Sequence, residues 1–446
     1  MNLELLWTDQ CFLIVLILSL IVIANSLRKE HVRRAYRQIF SKPIAVGSAI
    51  ILLFFLLIAL LDSVHFNKPG RDTSSSLLDY VLAPLDSTFE KTYSAPLALT
   101  LYTSETVFSA GHAQQIYPRL KYISRDLKDA VQVKQLLARI ILKSVTYSLL
   151  AIMISWFFFA LFRKWYNGKG LFFFTRANVS ALATLLLLLI FAMGSLWLSQ
   201  YLHVLGTGKI GQDIYYYALK SIRTGLIIGM LTTLFMMPLA LLLGIAAGYY
   251  GGVIDDIIQY IYTTLSSIPG VLLITASVLS MQTYIANHPE QFTTLAQRAD
   301  ARLLALCFIL GITSWTSLCR LLRAEALKIR EIDFVMAAKA LGSSSIKIIF
   351  KHLLPNVMHI VLITLVLDFS FLVLAEAVLS YVGVGVSPLT ISWGNMINTA
   401  RLELARDPIV WWPMAAAFIF MFILVLASNL FADAVRDAFD PRQASV

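Results

Sequence analysis

Nine apolar runs, each close to the length of helix that crosses a bilayer, constrain this chain more than any other feature. A hydrocarbon core about 30 Å thick takes roughly 20 residues of α-helix. Runs near residues 11–27, 44–61, 141–162, 178–200, 225–248, 259–281, 303–319, 357–380 and 411–431 meet that requirement, the first and seventh being short. The expected fold class is therefore all-α, an integral membrane protein of about nine transmembrane helices. Apolar residues make up 58% of the 446 and charged residues 14%, and mean hydropathy is +0.75. A soluble domain carries about 25% charged residues, so lipid must be the solvent for much of this chain.

The formal charge of +10 does not point to nucleic acid, because Lys and Arg of membrane proteins gather in cytoplasmic loops. Arg28, Lys29, Arg33, Arg34, Arg37 and Lys42 lie between the first two runs, against one Glu30. Arg163, Lys164, Lys169 and Arg176 follow the third, and Arg320, Arg323, Lys328, Arg330, Lys339, Lys347 and Lys351 follow the seventh. All three clusters fall on one side when nine spans are counted. That side is read as cytoplasmic, with the N-terminus outside and the C-terminus inside. The stretch at Asp255 and Asp256 shares that side without a basic residue, and short acidic loops weigh little in the rule.

Cys11, Cys307 and Cys319 lie in or beside apolar runs at no metal-like spacing, so neither a disulfide framework nor a zinc site is expected. Met1–Gln10 contains Glu4 and Asp9 and lacks the basic leader of a cleavable signal peptide. Residues 62–140 form the largest polar segment, placed outside, with a flexible stretch at Asp72–Ser76. Reading Arg119–Arg139 as helix puts Leu120, Ile123, Leu127, Ala130, Val131 and Lys134 near one stripe. Such a helix suits either a partner or headgroup surface, or a solvated cap on the bundle.

The most informative stretch is Arg330-Glu-Ile-Asp-Phe-Val-Met-Ala-Ala-Lys-Ala-Leu-Gly342, followed by Ser343-Ser-Ser-Ile-Lys-Ile-Ile-Phe-Lys-His-Leu-Leu-Pro355. Good helix formers end at Gly342, which suits a left-handed cap. The serines offer an N-cap to a second helix over 346–353. Pro355 then marks the turn into the next span. The expected product is a short helix–turn–helix beneath the membrane, where Ala337 and Ala338 permit close approach by a partner.

This spacing, Ala-Ala-x-x-x-Gly and then His-x-Leu-Pro, resembles the coupling loop of type I ABC importer permeases in their dipeptide/oligopeptide/nickel form. Three further segments are similar to that family: His203-x-Leu-Gly-Thr207-Gly-Lys-Ile-Gly211-Gln-Asp213; Glu376-Ala-Val-Leu-Ser-Tyr-Val-Gly383-Val-Gly385 with Ser392-Trp-Gly-Asn-Met396; and Asn429-Leu-Phe-Ala-Asp433-Ala-Val-Arg-Asp437-Ala-Phe-Asp-Pro441-Arg442. Together they span 203–442 in the family's order. Met336 stands where the family usually has Glu, and Gly208 and Gln212 replace an Asp and an Arg, so contacts made by those charges are not expected here.

The resemblance implies three parts: an extra helix, a basic loop and a probable family first helix over 1–61; an atypical insertion with two extra helices over 62–200; and a permease core over 201–446 with its coupling loop at 330–355. An alternative alignment takes 178–200 as the family's first helix. Ala337, Ala338, Gly342, His352, Leu354 and Pro355 are then the loop that docks on a separate ATPase. The plainer reading is a basic loop on anionic lipid, and His352 is read as a packing or capping residue.

Asp368 and Glu376 sit inside a predicted span about 80° apart around a helix. They suit either a translocation pathway or interhelical hydrogen bonds. Pro238 and Pro269 are expected to kink spans. Trp156, Trp165, Trp197, Trp393, Trp411 and Trp412 lie near span ends, as in an interfacial belt. Gly206-Thr-Gly-Lys209 lacks the spacing and hydroxyl of a phosphate loop, and no catalytic residue, metal site or cofactor is expected in this chain.

The implied assembly lies in the bacterial inner membrane. It holds a second homologous permease, two cytoplasmic ABC ATPases that bind ATP, and an extracytoplasmic substrate-binding protein. Di- and oligopeptides lead the substrate classes, with nickel chelates, antimicrobial peptides and other small cationic solutes open. Two competing classes are a proton-coupled secondary transporter using Asp368 and Glu376, and a non-transporting membrane scaffold or sensor.

Overall fold

The structure, a computed structural model, describes residues 2–28, 30–67, 75–86, 88–109, 112–124, 127–167, 175–292 and 294–439. Lys29, Asp72, Lys169, Pro441 and Arg442, used in the sequence reading, lie outside the described residues, as do the side chains of Arg163, Lys164 and Trp165. The helices are α1 (Trp7–Ser26), α2 (Glu30–Ile39), α3 (Pro43–Ser63), α4 (Leu77–Val81), α5 (Ala83–Asp86), α6 (Ala130–Asn167), α7 (Arg176–Leu198), α8 (Ile214–Tyr250) and α9 (Gly252–Ser267). They continue with α10 (Gly270–Asn287), α11 (Leu295–Arg330), α12 (Asp333–Ala340), α13 (Ser345–Ile348), a π turn (Ile349–Leu353), α14 (Leu354–Val382), α15 (Trp393–Glu403) and α16 (Trp412–Phe439). Among the described residues nine helical stretches are long and apolar enough to cross a membrane: α1, α3, α6, α7, α8, α10, α11, α14 with its lead-in from Ser345, and α16. The protein is an all-α, multi-pass membrane protein.

Chain contacts separate two compact units. The first comprises Met1–Glu4, Arg37–Thr224 and Ile391–Ala427. In it α7 packs against both α3 and α6, with Gly47 facing Ser180 and Thr184, and Gly194 facing Ser144. A small antiparallel sheet joins β1 (Asn2–Glu4), β2 (His65–Asn67) and β3 (Ser75–Ser76). A hairpin of β4 (Glu105–Ser109) and β5 (His112–Ile116) pairs Glu105 with Ile116 and Ser109 with His112. Leu101, Leu120, Ile123, Leu127, Val133, Ile140, Leu198 and Leu202 form an apolar core in this unit.

The second unit comprises Leu5–Tyr36, Gly225–Thr390 and Ser428–Val446. Its core gathers Met236, Ala240 and Ile245 of α8, Trp315, Leu318, Leu322 and Ala326 of α11, and Val357 and Val361 of α14. Small residues permit the approach, as is usual between helices in lipid. A Cβ at Gly244 would lie 2.8 Å from the Cys319 carbonyl oxygen, and one at Gly248 2.6 Å from that of Arg323. At Gly311 it would lie 2.6 Å from Phe235 Cβ. Helix α1 packs on the start of α11: Thr8 donates from its backbone (3.1 Å) and its hydroxyl to Asp300, and Trp7 meets Phe292 edge-on at 6.2 Å.

Four expectations are corrected. The span expected at 259–281 is two helices, because Ile268, held extended before Pro269, ends α9, so Pro269 lies between helices rather than inside one. The stripe read over 119–139 does not form: α6 begins at Ala130, and Leu120, Ile123 and Leu127 are buried by loop packing while Val131 is exposed. Pro355 does not break the helix. Its missing N–H and its ring are accommodated by the π turn, where the Leu354 N–H reaches the Ile349 carbonyl, and 345–382 runs on as helix. Trp393 and Trp412 are buried hydrogen-bond donors rather than belt residues.

Gly248→Ala should lower the stability of the detergent-solubilised protein by about 1–3 kcal/mol, since the carbonyl facing the new methyl cannot move aside. Gly342→Ala meets nothing within 4 Å and should cost only its left-handed backbone, about 1–2 kcal/mol. Thermal unfolding followed by size exclusion measures both.

Candidate functional site

The loop 330–355 is built as a surface held from behind. Gly342 (φ +76°) closes α12, with the Gly342 N–H on the Lys339 carbonyl and the Ser343 N–H on that of Ala338, a Schellman cap. Ser344 occupies the N-cap of α13 without a side-chain cap bond. Val335, Ile348 and Leu353 are buried in the core with Ile329 and Ala326 of α11. Arg330 reaches back to the carbonyls of Gly248 (3.5 Å) and Tyr249 (3.4 Å) at the end of α8. Arg323 forms a two-pronged pair with Asp255 at 2.5 and 2.6 Å, which holds that carboxyl below its ordinary range. Asp255 of the acidic stretch that departed from the charge rule is thus paired by α11.

Large apolar side chains stand exposed on this loop among the charged Glu331, Asp333, Lys339, Lys347 and Lys351. Leu341 is 85% exposed, Ile346 66% and Phe350 60%, with Phe334 and Met336 also open. Ala337, Gly342 and Pro355 are exposed beside them, and Ala338 and Leu354 are partly covered. His352 packs its ring on Phe334 at 5.8 Å, and its carbonyl accepts from Asn356 at 2.6 Å. Of the loop residues singled out from sequence, three are thus exposed and three, His352 among them, half-buried. The apolar side chains that give the face its character were not singled out.

Asp368 and Glu376 do not share a setting. Glu376 is buried and accepts from Ser380 at 2.7 Å. Asp368 is half-buried, and its Oδ2 has no hydrogen-bond donor among the described residues. It borders the open stripe of Leu367, Phe371, Leu374 and Val378. After them Gly383 (φ +89°) caps α14.

The His203–Asp213 segment is a hub within the first unit. His203 Nδ1 lies 2.6 Å from Asp213, and Nε2 faces Glu90 at 3.7 Å. Asp213 also accepts from the Tyr215 and Tyr216 N–H groups and so caps α8. Thr207 Oγ1 accepts from the Ser94 N–H at 2.7 Å and donates to the Thr92 carbonyl, and its own carbonyl accepts from Trp412. Gly211 (φ +75°) is pressed so closely on Glu90 that a Cβ would lie 1.7 Å from that carbonyl oxygen. Gln212 lies over Gly208, where a Cβ would be 2.5 Å from its amide, so the two departures from the resembled pattern pack against each other. Asp79, Lys220 and Tyr216 form a second cluster, with Lys220 2.6 Å from Asp79 and the Tyr216 hydroxyl donating to it at 2.8 Å. No spacing rule links Glu90 or Asp79 to these partners, because more than a hundred residues separate them.

Burial disfavours a charged imidazole at His203, but hydrogen bonding to Asp213 and the Glu90 carboxylate outweigh it and push the group up to about 9. Burial would likewise raise Glu90, but His203 and the Lys121 and Tyr122 N–H groups hold it below its ordinary value. Since the folded value lies above the ordinary 6.5, the His203 contribution is complete below that pH and is lost as pH rises through about 9. Thermal stability should therefore fall between those values, and His203→Gln should flatten that fall while lowering stability at pH 6.

Residues 240–445 match the family described as the binding-protein-dependent transport system inner membrane component. The dipeptide transport system permease protein DppC of Lactococcus lactis is 32% identical over 240 residues, 54% of this chain and 64% of its own length. The glutathione transport system permease protein GsiD of Pectobacterium atrosepticum is 30% identical over 244 residues, 54% of this chain and 74% of its own. The oligopeptide transport system permease protein OppC of Mycobacterium tuberculosis is 30% identical over 287 residues, 61% of this chain and 92% of its own. With the apolar spans and the exposed loop face described above, these matches place the chain in the binding-protein-dependent permease family of type I ABC importers.

Proposed function

We propose that this chain is one of two permease subunits of an ABC importer for di- or oligopeptides, driven by ATP bound and hydrolysed on separate cytoplasmic ATPases and fed by an extracytoplasmic binding protein. The observation that carries the reading is the apolar face of Leu341, Ile346 and Phe350, open on short helices whose other face is fixed in the core of the second unit. A membrane protein does not maintain such a face against water without a partner to cover it. The peptide class rests on the named relatives, and in this reading residues 201–446 form the permease core while 62–200 is an atypical insertion.

The geometry gives the docking loop a route to the membrane. Because α13 passes through the π turn into α14 without a loop, a displacement of the docked face is delivered along a helix axis. The π turn is the natural place for that axis to bend. Arg330 and the Arg323–Asp255 pair tie the same face to the ends of α8 and α9, so the surrounding helices follow it. In this assembly the basic α2 and the loop 330–355 lie in the cytoplasm with the C-terminus, and the N-terminus and the His203 hub lie outside. Asp368 borders the side of α14 that faces the pathway or the second permease.

Leu341→Glu should weaken capture of the ATPase by about 2 kcal/mol, roughly 30-fold in affinity, with the second permease still recovered. Quantitative mass spectrometry of complexes purified from native membranes measures both. Undiminished ATPase recovery with Leu341→Glu and with Gly342→Asp would contradict the reading.

A further inference from the structure

Arg302 is a cation inside α11 that the functional reading leaves unused. Its Nε–H is buried and has no acceptor among the described residues. It stands at the edge of the apolar run 303–319, and a buried N–H without an acceptor calls for a partner. Arg302 and Gln282 line one shallow groove between α10 and α11, with Val278, Met281, Leu306 and Ile309 completing the walls.

The groove is graded. At 1.5 Å per residue, Gln282 lies about 8 Å along α10 from its Asn287 end, and Arg302 about 10 Å along α11 from its Leu295 end. Both polar groups are thus nearest the short connection between the helices. Val278 and Ile309 lie further from that connection, deeper along the same helices. A polar end about 10 Å in and an apolar end beyond it match the order of headgroup and acyl chain in a leaflet.

Arg302 also points away from the helices that form the core of this unit. Gly311 faces α8, and nine residues at about 100° each put Arg302 about 180° around α11 from it. Leu279 and Phe308 are open at the groove's margins. The groove therefore opens outward, not into the α8–α11–α14 core.

We propose that this groove is a binding site for an anionic phospholipid, the phosphate taken by Arg302 and Gln282 and one acyl chain lying over Met281 and Ile309 between the exposed Leu279 and Phe308. A guanidinium offers several N–H groups in a plane, which suits phosphate oxygens better than a point charge does. A neutral water bridge would satisfy one N–H but leave the charge uncompensated.

The test uses the intact complex in nanodiscs of phosphatidylcholine with and without phosphatidylglycerol, with retained lipid counted by native mass spectrometry. Wild type should retain phosphatidylglycerol selectively. Arg302→Gln should lower its retention about tenfold, the loss of one charge-assisted contact. Ile309→Trp, which fills the apolar end but leaves Arg302 in place, should lower it as well and also reports on the site if the first variant folds poorly. Excess inorganic phosphate should not displace the lipid. Equal retention of the two lipids by wild type, unchanged retention in both variants, or displacement by inorganic phosphate or by a soluble peptide would each overturn the proposal.

Discussion

The close approach of α8 to α11 is the constraint on which the second unit depends. Gly244, Gly248 and Gly311 leave no room for a side chain between the two backbones. In lipid there is little hydrophobic gain from helix association, so contact between backbones of this kind does the work that apolar burial does in water. The seam fixes the ends of both helices, and from those ends Arg330 and the Arg323–Asp255 pair position the loop between α11 and α14. An exposed apolar face can be rigid only if something behind it is, and here that something is two glycine-lined helices.

The first unit rests on polar rather than apolar contact. His203, Asp213, Glu90 and Thr207 bind the 88–124 segment to the loop before α8 through short, buried hydrogen bonds. Buried charges of this kind tolerate no loss of a partner. The same residues that resemble a family signature thus have a structural task in this chain, capping α8 and clamping the 88–124 segment. That explains why the segment can keep its ionic core although Gly208 and Gln212 replace charged residues.

Much of this was legible from sequence where one local rule decides. Span length gave nine crossings, and glycine after a run of helix formers gave the cap at Gly342. Misreadings arose where two rules met. Pro355 was read as a break, yet a π turn absorbs its missing N–H. An apolar run crossing Pro269 was read as one span, because hydropathy does not register that the residue before proline must be extended. Val131 fitted a helical stripe, but the chain before Ala130 is held by loop contacts to Leu101 and Leu202 that no period encodes. Within the loop 330–355 the small residues and Gly342 stand out by motif spacing. Leu341, Ile346 and Phe350 do not, since exposure depends on which face the core takes and any apolar residue beside a span reads first as core.

The account's central claim is that the face of Leu341, Ile346 and Phe350 is covered by an ATPase. The most direct measurement places a photoreactive amino acid at position 341 and irradiates native membranes, with position 108 on the exposed β4–β5 hairpin as the comparison. The account predicts an adduct from 341 whose added mass is that of an ABC ATPase subunit, and no such adduct from 108. Adducts from 341 only to lipid, or equal ATPase adducts from both positions, would contradict it.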